Sequence, residues 1–304
     1  MSQNNNFFKE NINKDLIWYH FDLNDQNLGK LLKESYNDID NISRNILLAD
    51  ETRPKITKIA NGYIIILRGI NLNKNSDPED MVGVRILVTE NNIYSFSKRK
   101  LKAIDDLREK ISSKNIIKNS EEFISIFINL ILKKIQPFIN NLSDQIDQIE
   151  EEIIDENIAH NRQKILNFRK QIITIKRYLS PQKEVLNFLK NDYFKIAKNK
   201  KYLSQNIDHI TRFIEDLDLY REKLQIIKDE ISNIISEKLN KNTYITSIVA
   251  TLFLPIGFLT GLLGVNLGGI PGQDKSSFWV FTLILVILFI LELLFLVKLS
   301  KSKK

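Results

Sequence analysis

The 304-residue chain contains no cysteine. That excludes disulfides, thiolate metal sites and cysteine nucleophiles, and it fits a main body in the reducing cytosol. Histidine is nearly as scarce, with only His20, His160 and His209. No phosphate-binding loop, nucleophile elbow or histidine–acid constellation with motif spacing occurs, so neither an enzyme nor a bound cofactor is expected. The N-terminal stretch MSQNNNFFKENINKD has no apolar run, so no cleavable signal peptide is expected. Neither glycine nor proline occurs between Tyr202 and Leu254, which leaves nothing to interrupt a helix there. Six of the ten glycines crowd instead between Gly257 and Gly272.

Two apolar runs flank that glycine cluster, Tyr244 to Val265 and Phe278 to Val297. Each is about 20 residues, enough at about 1.5 Å per residue to span a hydrocarbon core of about 30 Å. The loop between them is too short to be a domain, so the two form a membrane hairpin. The polar residues before Tyr244 are enough for a large soluble body. The net charge of +7 has a location. Lys238 and Lys241 precede the first run, and Lys298, Lys301, Lys303 and Lys304 follow the second. Lysine on both outer flanks puts both termini in the cytoplasm. The basic tail could suggest nucleic acid, but topology and anionic lipid explain the same residues more simply, and no nucleic-acid partner is expected.

Along the soluble part, Asp15–Asp22, Tyr63–Leu67, Val82–Thr89 and Ile93–Ser97 read as strands, the last two joined at Asn91-Asn92 by a tight turn. Leu28–Tyr36 and Leu101–Ile111 read as helices. From about Ser120 the strand signal stops. The pattern predicts a helix over Glu121–Lys134, an acidic one over Ser143–Glu156 with Ser143 as N-cap, and a basic one over Arg162–Leu179 that ends before Pro181. A long helix follows from near Tyr202, with apolar residues at 203, 207, 210, 214, 217, 224, 231 and 235. These alternating steps of four and three, interrupted by Arg221 and Lys228, form a coiled-coil-like seam. The expected division is an α/β domain over 1–135, a helical region and stalk over 136–242, a first span over 243–265, a loop over 266–277, a second span over 278–298 and a basic tail over 299–304.

The first span carries a stripe of small and polar residues. Asn240, Thr243, Ser247, Ala250, Leu254, Gly257 and Gly261 recur at spacings of three and four, with Thr246, Thr251 and Thr260 beside them. Such a stripe serves close helix packing in membranes. Its continuation to Asn240 and Asn242 at one end and toward Asn266 at the other favours a pore lining. Two spans cannot enclose a pore, so the pore reading requires a cyclic oligomer. At the end of the span, Gly264-Val265-Asn266 could cap the helix. In a ring, the Asn266 amide oxygens would converge on the axis and hold the water shell of a divalent cation without binding it too tightly to leave.

The sequence FLTGLLGVNLGGIPG, set between two spans, resembles the CorA metal-ion transporter superfamily, and its Gly-Val-Asn in place of Gly-Met-Asn resembles the zinc-transporter, ZntB-like branch. The segments ETRPKITKI, VGVRILV and RKQIITIKRYLSPQKEV are similar to that branch, and the resemblance runs from about Asp15 onward. It implies a membrane protein of α+β class in the bacterial inner membrane. It also implies a funnel-shaped homopentamer whose N-terminal cytosolic α/β domain joins, by a long helical stalk, the first of two C-terminal spans. It implies Gly264, Val265 and Asn266 as the selectivity filter, the stripe as the pore lining, and transport of zinc or related divalent cations, with coupling to a proton gradient. A magnesium or cobalt channel of the same superfamily is the alternative, against which Gly-Val-Asn and GGIPG argue. A membrane-anchored coiled-coil scaffold would need neither the polar stripe nor this turn.

Zinc prefers imidazole and thiolate, and no histidine or cysteine lies in a span. The cation is therefore expected to pass largely hydrated. His209, with Asp208 and Asp216, is the remaining metal-ligand candidate. The acidic residues Asp144, Asp147, Glu150, Glu151, Glu152, Asp155 and Glu156 either pair with Arg162, Lys164, Arg169 and Lys170 or concentrate cations near a pore. Glu292 stands in the second span, where a charged carboxylate costs roughly 2.5–3.5 kcal/mol at a helix centre.

Overall fold

A computed structural model of the protein describes residues 7–36, 38–50, 53–113, 117–152, 158–264 and 275–301. The chain divides into two compact units, Met1–Lys228 and Asp229–Lys304.

The first unit is built on a six-stranded sheet. Its strands are β1 (Phe8–Asn11), β2 (Ile17–Asp22), β3 (Lys55–Ile59), β4 (Gly62–Gly69), β5 (Val82–Val88) and β6 (Asn92–Ser97), in the order β1-β2-β6-β5-β4-β3. β3 to β6 form an antiparallel meander, and β2 pairs parallel with β6. The uninterrupted apolar run of β4 reflects burial on both faces. Ile64 and Ile66 join a core with Leu28 and Leu32 of α1 (Leu28–Ser35) and Leu47 of α2 (Asn41–Leu48). Ile65 and Leu67, which point the other way, are fully buried too. On that second face Trp18 meets Phe123 of α4 (Ser120–Glu152) edge-on at 5.2 Å. The expected turn between β5 and β6 is present, closed by the Thr89 amide on the Asn92 carbonyl at 2.9 Å. At the β3–β4 turn Gly62 has φ 154°, and a Cβ there would lie 1.9 Å from the Val88 carbonyl oxygen, so only glycine fits.

The other α-helices among the described residues are α3 (Lys102–Ser112), α5 (Ile158–Phe188), which runs on into a π-helical turn over Leu189–Tyr193, α6 (Ala197–Leu263) and α7 (Lys275–Lys301). Three expectations are corrected here. α4 runs through Pro137 and Ser143 without a break, so Ser143 is not an N-cap. α5 runs through Pro181. A mid-helix proline removes one hydrogen bond, but α4 keeps Ile131, Ile135, Ile139, Leu142, Ile146 and Ile149 buried along one side, and that packing holds the helix together. The third correction concerns the seam of α6. Leu203, Ile210, Leu217, Leu224 and Ile231 are buried as expected, but the intervening buried positions are Asn206, Phe213 and Ile227. Ile207 and Ile214 are half-buried, and Ile235 is exposed. From Leu203 to Ile227 the seam is therefore covered inside one chain and is not available to join copies.

Polar contacts identify what covers it. The Asn206 amide donates to the Ser125 carbonyl at 3.0 Å and its oxygen accepts from Asn129, both on α4. Lys176 of α5 pairs with Asp218, and Arg169 donates to Gln225 at 3.3 Å. The start of α6 is held by buried Glu121 of α4, whose carboxylate accepts from the Lys195 and Ile196 amides at 2.6 and 3.2 Å and from Asn199 Nδ2 at 3.1 Å.

The second unit contains the rest of α6 and α7. In the described residues α6 is long and apolar enough to cross a membrane, and α7 holds a shorter apolar stretch, Trp279–Phe295.

Candidate functional site

Helix α6 runs through Pro255, so the predicted stripe stands on continuous helix. Asn240, Thr243, Ser247, Ala250, Leu254, Gly257 and Gly261 are all exposed. Residues three and four apart share one face of a helix, so the structure does bring these seven together. A different set, Ile248, Leu252, Pro255, Ile256 and Leu259, is half-buried, as are Phe281, Thr282, Leu285, Leu288 and Glu292 of α7. The stripe thus occupies the uncovered side of α6. A Cβ added at Gly257 or Gly261 would meet nothing within 4 Å. Among the described residues these glycines pack against nothing else in the chain.

The threonines beside the stripe are tied to their own helix. The Thr246, Thr251 and Thr260 hydroxyls donate to the carbonyls of Asn242, Ser247 and Ile256 at 3.0, 2.8 and 2.9 Å. Gly264 closes α6, its amide donating to the Thr260 carbonyl at 2.9 Å. Val265 and Asn266, the other two filter residues, lie outside the described residues, as do Asp155 and Glu156. Counting back from Asn240 in the same steps reaches Ser236, Asn233 and Asp229, all exposed on α6. The spacing of three and four thus continues past Asn240 toward the N-terminal end of α6.

The other candidates separate. Asp208 and His209 are exposed and Asp216 is half-buried. Seven residues of helix put about 10 Å between His209 and Asp216, too far for one ion, and the described residues hold no group of three His, Asp or Glu that could take a metal. The acidic stretch of α4 is paired, though largely with a partner the sequence reading missed. Lys223 of α6 lies 2.6 Å from both Asp147 and Glu150, and those two hydrogen bonds raise its pKa. Only the pair of Lys164 with Glu152, at 2.8 Å, was expected. In α7, Glu292 Oε2 is buried without a hydrogen-bond partner.

The whole length of the chain carries one further signature. Residues 13–299 match the family model described as CorA-like Mg2+ transporter protein. The chain belongs to the CorA-like transporter family. Among its curated relatives, the zinc transport protein ZntB of Pectobacterium carotovorum subsp. carotovorum is 34% identical over 81% of this chain and 76% of its own length. The divalent cation transporter CmaX of Pseudomonas aeruginosa is 30% identical over 90% of this chain and 83% of its own. A solved structure of full-length CmaX superposes with a TM-score of 0.80 at 26% identity, covering 99% of this chain and 93% of that one. Membership of this family makes the chain a membrane transporter for divalent metal ions, with a soluble N-terminal domain, and it is the family that the sequence resemblance pointed to.

Proposed function

We propose that this CorA-family member carries zinc across the bacterial inner membrane through a pore lined by the first span of α6, in a funnel-shaped ring of five copies with both termini cytoplasmic. The observation that carries this reading is the stripe. Six small or polar positions and Leu254 share the uncovered side of a membrane-length helix, and Gly257 and Gly261 face open space in the single chain. One hairpin cannot surround a lumen, so the stripe meets water only where copies assemble around it. In the ring, span one covers 243–265, and Gly264, Val265 and Asn266 stand at its outer mouth. The 266–277 loop leads to span two over 278–298, and the 299–304 tail returns to anionic lipid. The soluble part consists of the α/β domain, 1–135, and the helical region and stalk, 136–242.

Zinc is favoured because curated relatives at about one-third identity are named zinc transport proteins. The magnesium reading is supported by the description of the family model itself. A neutral ring of Asn266 amides suits either ion, since it replaces outer-shell water contacts and holds the cation weakly enough to release it. Proton coupling belongs to the same proposal.

The test is flux into liposomes with zinc, magnesium, cobalt and nickel, each with and without a pH gradient. Wild-type protein should pass zinc best, and faster with the gradient. Asn266→Ala should assemble normally and lose most of its flux. Asn266→Asp keeps the size and adds a charge per copy, which should tighten binding and slow release. Full zinc flux in assembled Asn266→Ala would make this residue a helix cap and nothing more.

A further inference from the structure

The transport reading leaves two exposed helix faces of the soluble unit unused. α5 exposes Leu166, Lys170, Ile173 and Arg177, and α6 exposes Glu215, Leu219, Glu222 and Ile226. Each row steps by four, three and four residues, so each row is one face of its helix. The apolar members are open to solvent in the single chain, Leu166 at 53%, Ile173 at 59%, Leu219 at 60% and Ile226 at 69% exposure. Exposed apolar side chains grouped between charged ones mark a surface that meets a partner.

The two rows carry opposite charge. Lys170 and Arg177 stand on α5, Glu215 and Glu222 on α6, and among the described residues none of the four has an ion pair within the chain. The helices do touch within one chain, but through other residues: Lys176 pairs with Asp218, and Arg169 donates to Gln225 at 3.3 Å. Those contacts make α5 and α6 antiparallel, because the position on α5 falls from 176 to 169 as that on α6 rises from 218 to 225. Rotation about a ring axis keeps the direction of each helix along that axis. So α5 of one copy is antiparallel to α6 of the next as well. Laid antiparallel, the rows match at every step. Arg177 meets Glu215, Ile173 meets Leu219, Lys170 meets Glu222 and Leu166 meets Ile226.

We propose that the α6 row of one copy packs on the α5 row of the next. The contact presupposes the ring of copies proposed above and names the surfaces that join them in the soluble part. Packing α6 against α6, or α5 against α5, would set like charges together. Unlike faces, one from each copy, make the contact heterologous, the type that repeats around an axis to form a ring. The four apolar side chains supply the burial, and the charges beside them fix partner and register. The side of α6 buried from Leu203 to Ile227 stays inside its own chain, so the helix holds its own fold with one face and its neighbour with another.

The chain has no cysteine of its own, so a single introduced thiol is a specific reporter. Full-length Ile173→Cys and Leu219→Cys, both at exposed positions, are co-expressed with different tags and treated in detergent with a short thiol-reactive crosslinker. The same preparation is weighed by native mass spectrometry. Links joining the two tags are expected, and they should be lost when either variant is prepared alone. Glu222→Lys and Lys170→Glu should each lower the fraction of chains in rings, and the double variant should restore it. Rings without links between tags would overturn the contact and leave the ring standing. So would links as abundant in one variant alone as in the mixture, or a double variant no better than its parents. Linked assemblies of two copies, or no assembly at all, would overturn the ring together with the contact. Zinc flux is not read, so the choice of ion is untouched by any of these results.

Discussion

Between Leu203 and Ile231, α6 buries residues spaced three and four apart. Between Asn240 and Gly261 it leaves residues of the same spacing exposed. In the first stretch the spaced residues are Leu, Ile and Phe, with one asparagine whose amide finds a carbonyl and an acceptor on α4. In the second they are Asn, Thr, Ser, Ala and Gly, with one leucine. The two series also occupy different heptad positions. Steps of seven from Leu203 reach Leu252 and Leu259, which are half-buried, whereas the stripe sits two residues out of that register. Periodicity alone therefore states that a helix has a working face, and side-chain chemistry states what that face meets.

Cysteine labelling separates the two uses most sharply. In otherwise native protein, cysteines at Thr243, Ala250 and Gly257 should react with small water-soluble thiol reagents, while those at Leu285 and Leu288 should not. Equal labelling of both helices would erase the distinction between the stripe and the covered faces. Truncation comes next. Leu217→Ala, at a fully buried position, should cost about 2–5 kcal/mol in denaturant unfolding followed by Trp18 fluorescence. Leu254→Ala, at an exposed one, should stay within about 0.5 kcal/mol in the same assay.

Acid should discriminate the sheet from the helices by about 3 kcal/mol. His20 is buried, and burial lowers its pKa to about 4, against the opposing pull of Asp22, the Ser95 contact and Asp105. An unfolded histidine titrates near 6.5, so the unfolded chain takes the proton first. The stability tied to neutral His20 is complete above pH 6.5 and is lost as pH falls from 6.5 toward 4, about 3 kcal/mol across the window. His20→Asn should flatten that limb of a stability–pH curve while leaving the carboxylate limb below it. The smallest effect belongs to the helical surface. Lys223→Ala removes two exposed ion pairs and should cost less than about 1 kcal/mol, a loss that shrinks further in high salt.

How far the sequence could be read depended on burial. β4 and β5 were legible because both their faces are covered, with an unbroken apolar run from Tyr63 to Leu67 in β4 and an apolar strand broken only by Gly83 and Arg85 in β5. β1 (FKEN) and β3 (KITKI) are short edge strands, largely polar and with few buried residues, and they left no alternation to detect. α2 carries a signal that was overlooked: Asp40, whose carboxylate accepts the Ser43 amide at 2.6 Å. Ser143 gave a false one, because the apolar side of α4 continues past it and packing outweighs a local capping preference. In the site, the stripe was legible from spacing. The grip of Lys223 on the acidic helix was not, since it joins residues 76 positions apart.

Glu121 gives α6 an angular reference. A helix of 67 residues has a length of about 100 Å, and a slip of one residue turns every side chain on it by about 100°. Such a slip would bring Ile248 and Thr251 round to where Ser247 and Ala250 stand. Three hydrogen bonds from one buried carboxylate, set on the residues just ahead of α6 and on its first turn, oppose that rotation at its origin. Glu121 thereby fixes where the first turn of α6 begins and which way it faces α4.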